Sequence, residues 1–573
     1  MNVRWIDPPP PPPHLPPLHP DPLLHALLAR RVATPAEAAE FLDRSYRPLP
    51  DPFTLPGMAE ATERLRRAIR SRETVAVFGD YDADGITSTA IATLALRAAS
   101  AGALPALVEL PTRADGYGLN VDAVRRFAGD GATLLLALDC GSSDHDSLAL
   151  ARSLGMDAIV VDHHELHGPP PEGATLVSAR LDPDSPYRGL SAAGLALLLA
   201  TALARSGFDV GDGPGRDPVG LADLAMIGIV ADVCDLRGPA RTIVRDGLRR
   251  ARTAPRPGLS ALLRGMDLDP AKLDSRQVAR RLGPALNAPG RRADPTPAFD
   301  LLLAGSALGA NGYVADVLAA LEWARAERTR HAGEQAARFR TVPGWEGRRV
   351  AVLDAYDCPS GIAGSVASHL AAELARPVVV LGRHGERLRG SARSYGGFDI
   401  GSALQALPHL LVRSGGHRMA AGLELEAANL ERLREALEEA AATAGIEPGP
   451  MGVLHLDADL PAERIERSTA DLLDGLRPFG EGNPEPLLRV PAATVLDASA
   501  FGRDRSHLKI RLRTSAGIST AIAWGQAERR LDAMPGMSVD LAGRLDRNVW
   551  NGQESIRLVA DDFRPVGGPT SNR

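Results

Sequence analysis

Three aspartates, Asp80, Asp82 and Asp84, alternate along the segment VFGDYDADGITST, after an apolar run that predicts a strand and before one that predicts a helix. Carboxylates this close repel one another, which predicts a cation bound among them. An EF-hand calcium loop also opens with Asp-x-Asp-x-Asp-Gly, but it needs a bidentate Glu at its twelfth position, where this chain has Ile91. Because the incoming element is also a strand, an EF-hand is excluded.

Further acids and a pair of histidines follow other apolar runs. They are Asp139 after TLLLAL, Asp162 with His163 and His164 after DAIVV, and Asp232 after MIGIV. Ligands of open parallel sheets bind beyond the carboxyl ends of the strands, so we expect these loops to converge on one crevice. Carboxylates with one or two imidazoles suit Mn²⁺ or Mg²⁺, and this many acids could hold two ions about 4 Å apart. Such a pair would activate a water for in-line attack on phosphorus.

Each of these residues also has a simpler interpretation. An Asp at a strand end is more often a helix cap, and a His-His pair on a loop is commonly just solvated. The recurrence of such residues in four loops of one series is what favours a metal centre.

Other large enzyme classes are excluded by short motifs. The only lysines, Lys272 and Lys509, follow Ala and Leu, so the chain has no Gly-Lys-Ser/Thr phosphate loop. No serine has glycine at both second neighbours, so a nucleophile elbow is absent. The three cysteines are far apart, which excludes a disulfide scaffold and a thiolate zinc site.

The elements that must position the acids follow a repeating pattern between about residues 58 and 240. Short apolar runs at 74–78, 133–138 and 157–161 alternate with Ala/Leu-rich amphipathic segments. This pattern predicts parallel βαβ units. A second α/β block follows, with predicted strands at 348–356 and 377–382 around a helix.

Three other regions differ from these α/β blocks in composition and residue pattern. Pro8 to Pro13 and the prolines that follow predict a stiff extended tail outside any core. The stretch 313–342 has no proline and predicts a long polar connecting helix, which we interpret as a solvated spacer. After about residue 450, short strands such as HLKIRLRT (507–514) and STAIAW (519–524) predict a small β-barrel or sandwich.

The formal net charge of -6 would argue against a nucleic-acid partner, but the cations are unevenly distributed. Residues 376–421 hold seven Arg against Glu386 and Asp399, a local net of +5. In 507–514 alternation sends Lys509, Arg511 and Arg513 to one face, although a solvated sheet face explains that strand equally well. No apolar run reaches the roughly 20 residues of a membrane span, and a cytoplasmic protein is expected.

Four segments, GDYDADG, LDCGSSD, VVDHHE and IVADVCDL, in this order and spacing, resemble the motifs of the DHH phosphoesterase superfamily. Downstream, LGPALNAPGR, GSARS, SGGHRMAAG and RPFGEGNPEP resemble its branch of bacterial single-strand-specific exonucleases, from about residue 50 to the C-terminus. The resemblance implies 5′-to-3′ hydrolysis of single-stranded DNA to 5′-mononucleotides with two Mn²⁺ or Mg²⁺ ions, in DNA repair and recombination.

By motif, the resemblance also implies a role for each site residue. The implied metal ligands are Asp80, Asp82, Asp84, Asp139, His163 and Asp232. His164 would lie close to the reacting groups, and Asp162 would orient a neighbouring histidine. The implied DNA-binding residues are Arg113, Tyr117, Asn287, Arg291, Ser391, Arg393 and His417. Tyr117 could stack on a base, with packing as the alternative, and ordinary turns are the alternative for the glycines of GSARS and GGH.

The chain departs from the family pattern at three places. Phe78 stands where some members have a histidine, which removes one nitrogen ligand. Ala285 stands where the family usually has Arg, so 5′-phosphate recognition would fall to Arg291 or to the neighbouring pair Arg280 and Arg281. Cys358-Pro359 replaces the usual Trp-His. These changes bear on affinity and end preference more than on hydrolysis.

The predicted fold class is α/β: a parallel-sheet catalytic domain, a connecting helix, a second α/β domain and an OB-type barrel. The predicted divisions are an N-terminal segment (1–57), the DHH domain (58–310), the helix (311–344), the DHH-associated domain (345–447) and the OB domain (448–573). Two alternatives stay open: a phosphodiesterase of short oligonucleotides or cyclic dinucleotides, and a non-catalytic single-strand-binding scaffold. The expected partners are single-stranded DNA with a 5′ end, a helicase and a single-strand-binding protein, with no membrane, and the chain is expected to be a monomer.

Overall fold

The computed structural model describes residues 2–43, 45, 48–113, 115–166, 168–211, 218–447, 451–515, 517–550 and 553–566. The chain forms two compact units. The first unit comprises Tyr46–Arg328 and Pro478–Pro484, and the second comprises Met1–Ser45, Thr329–Arg477 and Glu485–Arg573. Among the described residues, no helix has both the length and the apolar character required to cross a bilayer.

The N-terminal segment belongs to the second unit. Its elements are β1 (Asn2–Ile6), α1 (Pro22–Leu28) and α2 (Pro35–Leu42). The proline run Pro8–Pro13 stays outside the core, as expected, and the residues before it are anchored. β1 pairs in parallel with residues 451–455, and the buried Trp5 donates from Nε1 to Asp562 at 2.7 Å. β1 was not predicted from the sequence; it precedes the prolines and is anchored by this strand pairing and by the Trp5 indole.

A five-stranded parallel sheet lies at the centre of the first unit, as the alternating pattern predicted. Its strands are β2 (Val75–Phe78), β3 (Ala106–Glu109), β4 (Leu134–Leu138), β5 (Asp157–Val161) and β6 (Ala174–Val177), in the spatial order β3-β2-β4-β5-β6. The central strands β2 and β4 are buried along their whole length, because helices cover both faces of the sheet. Only the edge strands β3 and β6 escaped prediction, since both are short and partly exposed.

The described residues of the first unit form a series of helices, several of which pack on this sheet. They are α3 (Met58–Ser71), α4 (Ala83–Ala99), α5 (Val121–Gly129), α6 (His145–Ser153), α7 (Ala192–Arg205), α8 (Ala222–Ala231), α9 (Gly238–Thr253), α10 (Pro257–Gly265), α11 (Ser275–Gln277), α12 (Gly283–Arg292) and α13 (Thr296–Leu303). The run MIGIV, treated above as a strand equivalent, lies in α8. Residues 222–230 are all buried, so no amphipathic period marked them as helical.

The long helix α14 spans Ala307–Arg340, four residues ahead of the predicted 311–344 at each end. Its final turns are not a solvated spacer, and that interpretation was wrong. Ala332, Ala336 and Phe339 are buried, and the Arg376 guanidinium lies 5.5 Å from the Phe339 ring. The helix therefore packs into the second unit through its last three turns.

The second α/β block lies in the second unit, as predicted. Its elements are β7 (Ala351–Asp354), α15 (Ser360–Leu374), β8 (Val378–His384), β9 (Arg387–Arg393), α16 (Ile400–Gln405), β10 (Arg413–His417), β11 (Ala420–Glu426) and α17 (Leu430–Thr443). The strand order is β10-β11-β9-β8-β7, and only β7 and β8 run parallel.

The C-terminal region is a β-barrel. Its elements are β12 (Met451–His455), β13 (Ala458–Asp459), α18 (Arg467–Asp474), β14 (Leu488–Phe501), β15 (His507–Thr514), β16 (Gly517–Ala523), β17 (Ser538–Trp550) and β18 (Gln553–Pro565). The order β14-β15-β16-β18-β17 closes because β17 also pairs with β14. In β15, Leu508, Ile510 and Leu512 are fully buried, so the predicted alternation is confirmed.

Candidate metal centre

The acidic loops meet at one edge of the parallel sheet in the first unit. β2 and β5 both pair with β4, so the residues after these three strands are neighbours. Those residues are Asp80 and Asp82, Asp139, and Asp162 with the two histidines. Asp232 reaches the same place from the C-terminal end of α8 rather than from a strand.

Asp82 and Asp80 occupy the turn between β2 and α4. Asp82 is the N-cap of α4, and its Oδ1 accepts from the backbone N–H groups of Asp84 at 2.9 Å and Gly85 at 3.1 Å. Asp80 is buried, and its Oδ1 has no hydrogen-bond partner among the described residues. The turn needs glycine at 85, because a Cβ there would lie 2.5 Å from the Asp80 carbonyl oxygen.

Asp84 is held by the N-terminus of α7. Its carboxylate accepts from Ser191 Oγ at 2.7 Å and from the backbone N–H groups of Ala192 at 2.8 Å and Ala193 at 3.0 Å. A helix N-terminus favours negative charge, so α7 fixes the orientation of this carboxylate. Sequence reasoning missed this support, because SAAGLALLLA shows only an apolar helix preceded by a serine.

Asp139 follows β4 in a left-handed backbone conformation, with φ of 64°. This region is uncommon outside glycine, although Asp and Asn tolerate it better than most residues. The side chain is buried, and its Oδ1 has no hydrogen-bond partner among the described residues. A buried carboxylate oxygen left in this way is a group that a cation would satisfy.

His163 brings three carboxylates together around one ring nitrogen. Its Nε2 lies 3.3 Å from Asp139 Oδ1, 3.7 Å from Asp232 Oδ2 and 3.9 Å from Asp84 Oδ2. Arg180, which sequence reasoning also missed, steadies the loop by donating from Nε to the His163 carbonyl oxygen at 2.8 Å. Residues from four separate segments of the chain therefore meet at the His163 imidazole.

His164 is held by its neighbours on the other side of the loop. Asp162 accepts from its Nδ1 at 2.8 Å and from its backbone N–H at 3.1 Å. The Tyr117 hydroxyl lies 3.0 Å from the same Nδ1 and donates to the Asp139 carbonyl oxygen at 3.1 Å. Tyr117 therefore contacts the centre directly, while 42% of its surface stays exposed.

The electrostatics of the cluster favour a bound cation. Burial, reinforced by the charge of Asp82, raises the pKa of Asp84 to about 6, and burial with the charge of Asp84 raises the pKa of Asp232 to about 8. Burial also raises the pKa values of Asp80 and Asp139 well above their usual range. The acids resist ionising together, and divalent cations would remove that cost.

Asp162 and His164, unlike the acids of the cluster, have pKa values that favour their charged forms. Burial works against ionisation of Asp162, but the hydrogen bond and charge of His164 hold its pKa below the ordinary value. Burial likewise opposes the charged form of His164, but Asp162 raises its pKa to about 9. This pair is therefore an ion pair at neutral pH.

The donor atoms fall into two groups that share no residue. One is Asp80, Asp82 and Asp139, and the other is Asp84, His163 and Asp232, with the atoms of each group within 4.8 Å of one another. A third combination, Asp139 with both histidines, overlaps them. Oxygen-rich sets with an imidazole fit Mn²⁺ or Mg²⁺, and the two buried unsatisfied oxygens supply independent evidence of fit.

The predicted DNA-binding residues of the first unit lie around this cluster in different ways. The Arg113 guanidinium stacks 4.4 Å from the ring of Tyr81, between the first two acids. Asn287 accepts through Oδ1 from the Ala83 N–H at 2.7 Å and so caps the N-terminus of α4. Arg291 lies in the last turn of α12, on a half-buried position.

The position of the missing family arginine is also defined. Ala285 is completely buried in α12, and Arg281 donates to the Met266 carbonyl oxygen at 3.0 Å. Of this pair, Arg280 is exposed and Arg281 is half-buried.

The remaining predicted residues lie in the second unit. Ser391 and Arg393 face the same side of β9, and Arg393 Nε donates to Ser368 Oγ on α15 at 3.0 Å. Burial lowers the pKa of Arg393. The guanidinium packs closely against α15, since a Cβ at Gly364 would lie 2.6 Å from the Arg393 Nη2. His417 is exposed at the end of β10.

Without metal, the protein is expected to lose stability as pH rises. Folded acids with raised pKa values keep protons that the unfolded chain releases, and protonated His164 adds a loss in the same direction above about pH 6.5. Each proton that the folded protein keeps and the unfolded chain releases lowers the free energy of unfolding by about 1.4 kcal/mol per pH unit. We therefore expect the Tm measured in chelator to fall by about 5–10 °C between pH 5.5 and 7.5.

Differential scanning fluorimetry checks this. Saturating Mn²⁺ in a parallel pH series should raise Tm most at the alkaline end, since the bound ligands are then ionised at every pH. A Tm in chelator that rises with pH, or that Mn²⁺ shifts equally at all pH values, would contradict the expectation.

Three family models match the chain in order. A DHH family N-terminal domain matches residues 74–229, a DHHA1 domain matches 347–443, and a RecJ OB domain matches 456–562. The chain is 33% identical over 573 residues to the single-stranded-DNA-specific exonuclease RecJ of Salmonella typhimurium, with 95% of this chain and 96% of that protein covered. It is 32% identical to the Bacillus subtilis RecJ, with 95% and 68% covered.

Solved RecJ structures are also similar to this chain. The structure of Thermus thermophilus RecJ in complex with Mn²⁺ superposes with a TM-score of 0.82 at 29% identity, covering 98% of this chain and 80% of that one. The Mg²⁺ complex from the same organism gives a TM-score of 0.76 at 28% identity, covering 98% and 78%.

Proposed function

The chain belongs to the RecJ family of single-stranded-DNA-specific exonucleases, and from this premise we propose that it removes 5′-mononucleotides successively from the 5′ end of single-stranded DNA with two Mn²⁺ or Mg²⁺ ions. Family membership was also what the motifs implied. The observation that carries the proposal is the His163 Nε2, which lies within 3.9 Å of carboxylates from three other loops. A complete acidic cluster at the carboxyl edge of a parallel sheet suits hydrolysis of a phosphodiester.

We assign the ligands to two ions by their grouping. Asp80, Asp82 and Asp139 would hold one ion, and Asp84, His163 and Asp232 the other. Bound ions of this kind supply a water nucleophile at neutral pH and neutralise charge on the attacked phosphate. The protein contributes the fixed positions, since α7 clamps Asp84 and the N-cap of α4 fixes Asp82.

His164 has a separate task in the proposal. Its hydrogen bond to Asp162 keeps the ring charged and fixes its orientation. A charged imidazole at this position would donate a hydrogen bond to a phosphate oxygen as negative charge develops there. Asp162 would act only through His164.

Substrate binding would be shared by the two units. In the first unit, Arg113 and Arg291 would contact phosphates, Tyr117 would stack on a base, and Asn287 would position α4. In the second unit, Ser391, Arg393 and His417 would bind phosphates. Arg393 suits this role because it is half-buried and donates to two neutral acceptors, the Ser368 hydroxyl and the Ala392 carbonyl oxygen.

The wider setting is also a proposal. The domain divisions 1–57, 58–310, 311–344, 345–447 and 448–573 are retained as working boundaries. The enzyme would act as a monomer in the cytoplasm, in DNA repair and recombination, on ends exposed by a helicase and in the presence of a single-strand-binding protein.

Two alternatives have less support. A phosphodiesterase of short oligonucleotides or cyclic dinucleotides has no need of a C-terminal barrel. A non-catalytic scaffold could lose metal ligands without penalty, whereas this chain keeps every acid and brings them together.

The test uses purified protein with Mn²⁺ and strands of about 30 nucleotides carrying a label at either end. We expect the 5′-labelled strand to release a labelled mononucleotide at the earliest times. The 3′-labelled strand should shorten slowly. Duplex DNA of the same sequence and a chelator are the controls. Faster hydrolysis of two- to five-nucleotide substrates would favour the first alternative, and binding without hydrolysis would favour the second.

A further inference from the structure

The turn that carries Asp232 ends α8 with a residue that does not suit its backbone. Asp232 is the C-cap of the helix. Two backbone bonds follow, from the Cys234 N–H to the Ile229 carbonyl oxygen at 3.1 Å and from the Val233 N–H to the Val230 carbonyl oxygen at 3.3 Å. This is the Schellman pattern, in which the residue after the cap is left-handed and usually glycine. Here that residue is Val233, with φ of 59°.

Val233 makes the turn strained. A side chain branched at Cβ opposes a positive φ sterically, so this sequence would favour another backbone conformation if the turn were free. Strained residues persist where the surrounding structure holds them. Packing of Val233 itself gives little hold, because this residue is 65% exposed. The turn therefore needs support from the residues that follow it.

A loop from far along the chain contacts those residues. Residues 478–484, in the motif RPFGEGNPEP, belong to the first unit, whereas the residues before and after them belong to the second. We call 478–484 the inserted loop. Gly480 and Asn483 exchange backbone hydrogen bonds, and the buried Asn483 donates from Nδ2 to the Pro478 carbonyl oxygen at 2.7 Å. The loop is therefore closed on itself.

The inserted loop packs on the two residues that follow Cys234. The Leu236 N–H donates to the Glu481 carbonyl oxygen at 2.8 Å, and Leu236 is buried. A Cβ at Gly480 would lie 2.6 Å from Leu236 Cδ1, and a Cβ at Gly482 would lie 1.8 Å from Asp235 Oδ1. These approaches are so close that both positions need glycine.

The inserted loop is also anchored to two helices of the first unit. Ser275 of α11 donates from Oγ to the Phe479 carbonyl oxygen at 2.6 Å. The buried Arg241 of α9 donates from Nη1 to the Pro478 carbonyl oxygen at 3.4 Å. The loop is thus a fixed support rather than a segment that follows the turn.

We propose that the inserted loop is a positioning element for Asp232. By fixing Asp235 and Leu236 it holds Val233 in the left-handed conformation, and this conformation determines where the Asp232 carboxylate lies. The loop acts on the metal centre only through the turn. The role of Asp232 as a metal ligand rests on the proposed function.

The Cys234 thiol reports on the turn without metal or DNA. It donates to Asp232 Oδ2 at 3.4 Å and is half-buried, while Cys140 and Cys358 are buried. In chelator, Gly482→Ala in the full-length protein should raise the rate of reaction with the thiol reagent DTNB about tenfold or more, because the turn then opens more often. Cys234→Ser should abolish this reaction and so assign it.

A second substitution in the turn should reverse the effect. Glycine adopts a positive φ without strain, so with Val233→Gly the turn forms without help from the loop. In the double variant Val233→Gly/Gly482→Ala the thiol rate should lie within about threefold of that of Val233→Gly alone. A loop change that merely destabilised the fold would not be rescued in this way.

Mn²⁺ binding tests the consequence for the ligand. Electron paramagnetic resonance of free Mn²⁺ should show that Gly482→Ala weakens binding of one ion about 10- to 100-fold, and Val233→Gly should restore most of the loss. Gly102→Ala is the matched control, since Gly102 has φ of 78° and no atom within 4 Å of an added Cβ. It should leave the thiol rate and Mn²⁺ affinity unchanged.

Several results would overturn the proposal. They are equal thiol rates in wild type and Gly482→Ala, an increase that Val233→Gly does not reduce, and unchanged Mn²⁺ affinity in a variant whose turn opens. If Gly482→Ala does not fold, Gly480→Ala replaces it, because its added Cβ meets only the Leu236 side chain. A wild type that binds no Mn²⁺ would contradict the proposed function, whereas the thiol rates would still decide whether the loop holds the turn.

Discussion

Asp139→Asn is expected to reduce Mn²⁺-dependent release of nucleotides about a thousandfold or more, the size of loss seen when one member of an interdependent catalytic set is removed. Asp139 belongs to one proposed metal group and its Oδ1 lies 3.3 Å from the imidazole of the other, so a single change disturbs both. Asparagine preserves the shape and tolerates the φ of 64° at this position. The loss is therefore one of charge rather than of backbone conformation.

The same variant should be more stable than wild type when metal is absent. Burial and the neighbouring acids raise the pKa of Asp139 well above the usual range, which means that its ionised form is unfavourable in the folded protein. Removing that charge relieves the cost above the pKa of an unfolded aspartate, so Tm in chelator at pH 8 should rise. The stabilisation that Mn²⁺ gives should shrink.

Initial rates on end-labelled single strands and Tm with and without Mn²⁺ check both statements. Asp130→Asn, at an exposed position after α5, is the control and should leave both quantities unchanged. Activity of Asp139→Asn within tenfold of wild type would reject Asp139 as a ligand. A fall in its metal-free Tm would show that the carboxylate has a structural partner instead.

Gly228→Ala is expected to destabilise the first unit and to weaken Mn²⁺ binding together. A Cβ at this position of α8 would lie 2.5 Å from both Asp84 Oδ1 and Ala193 Cβ, and 2.6 Å from Thr87 Oγ1. Overpacking of this kind costs about 1–3 kcal/mol. Relief by movement of Asp84 would break its bonds to α7 and should weaken Mn²⁺ affinity about 10- to 100-fold.

Chemical denaturation and a Mn²⁺ titration of Tm measure these two effects. Gly312→Ala is the matched control, because Gly312 lies in the exposed part of α14 and no atom is within 4 Å of its added Cβ. Alanine there should stabilise the helix by up to about 1 kcal/mol without changing Mn²⁺ affinity. Similar behaviour of the two alanine variants would mean that α8 can shift to accept a methyl group and that Gly228 is not required.

Prediction from sequence succeeded where the signal is local. The strands at 74–78, 133–138 and 157–161, the second α/β block and the inward and outward sides of β15 all follow from apolar runs and alternation. Prediction failed where a run is apolar throughout or where a strand pairs with a segment far away in the sequence. The buried run before Asp232 had no period that distinguishes a helix from a strand, and the N-terminal strand pairs with a segment more than 440 residues away.

The sequence by itself predicted which carboxylates and imidazoles lie together, because residues that follow parallel strands collect at one edge of the sheet. It also determined the family, because the motifs occur in a fixed order. Only the tertiary structure decided how the carboxylates are held: Ser191 reaches Asp84 across 107 residues, and a missing side chain at Gly228 leaves room for it. Such contacts depend on the packing of α4, α7 and α8 against one another, which no local pattern of residues encodes.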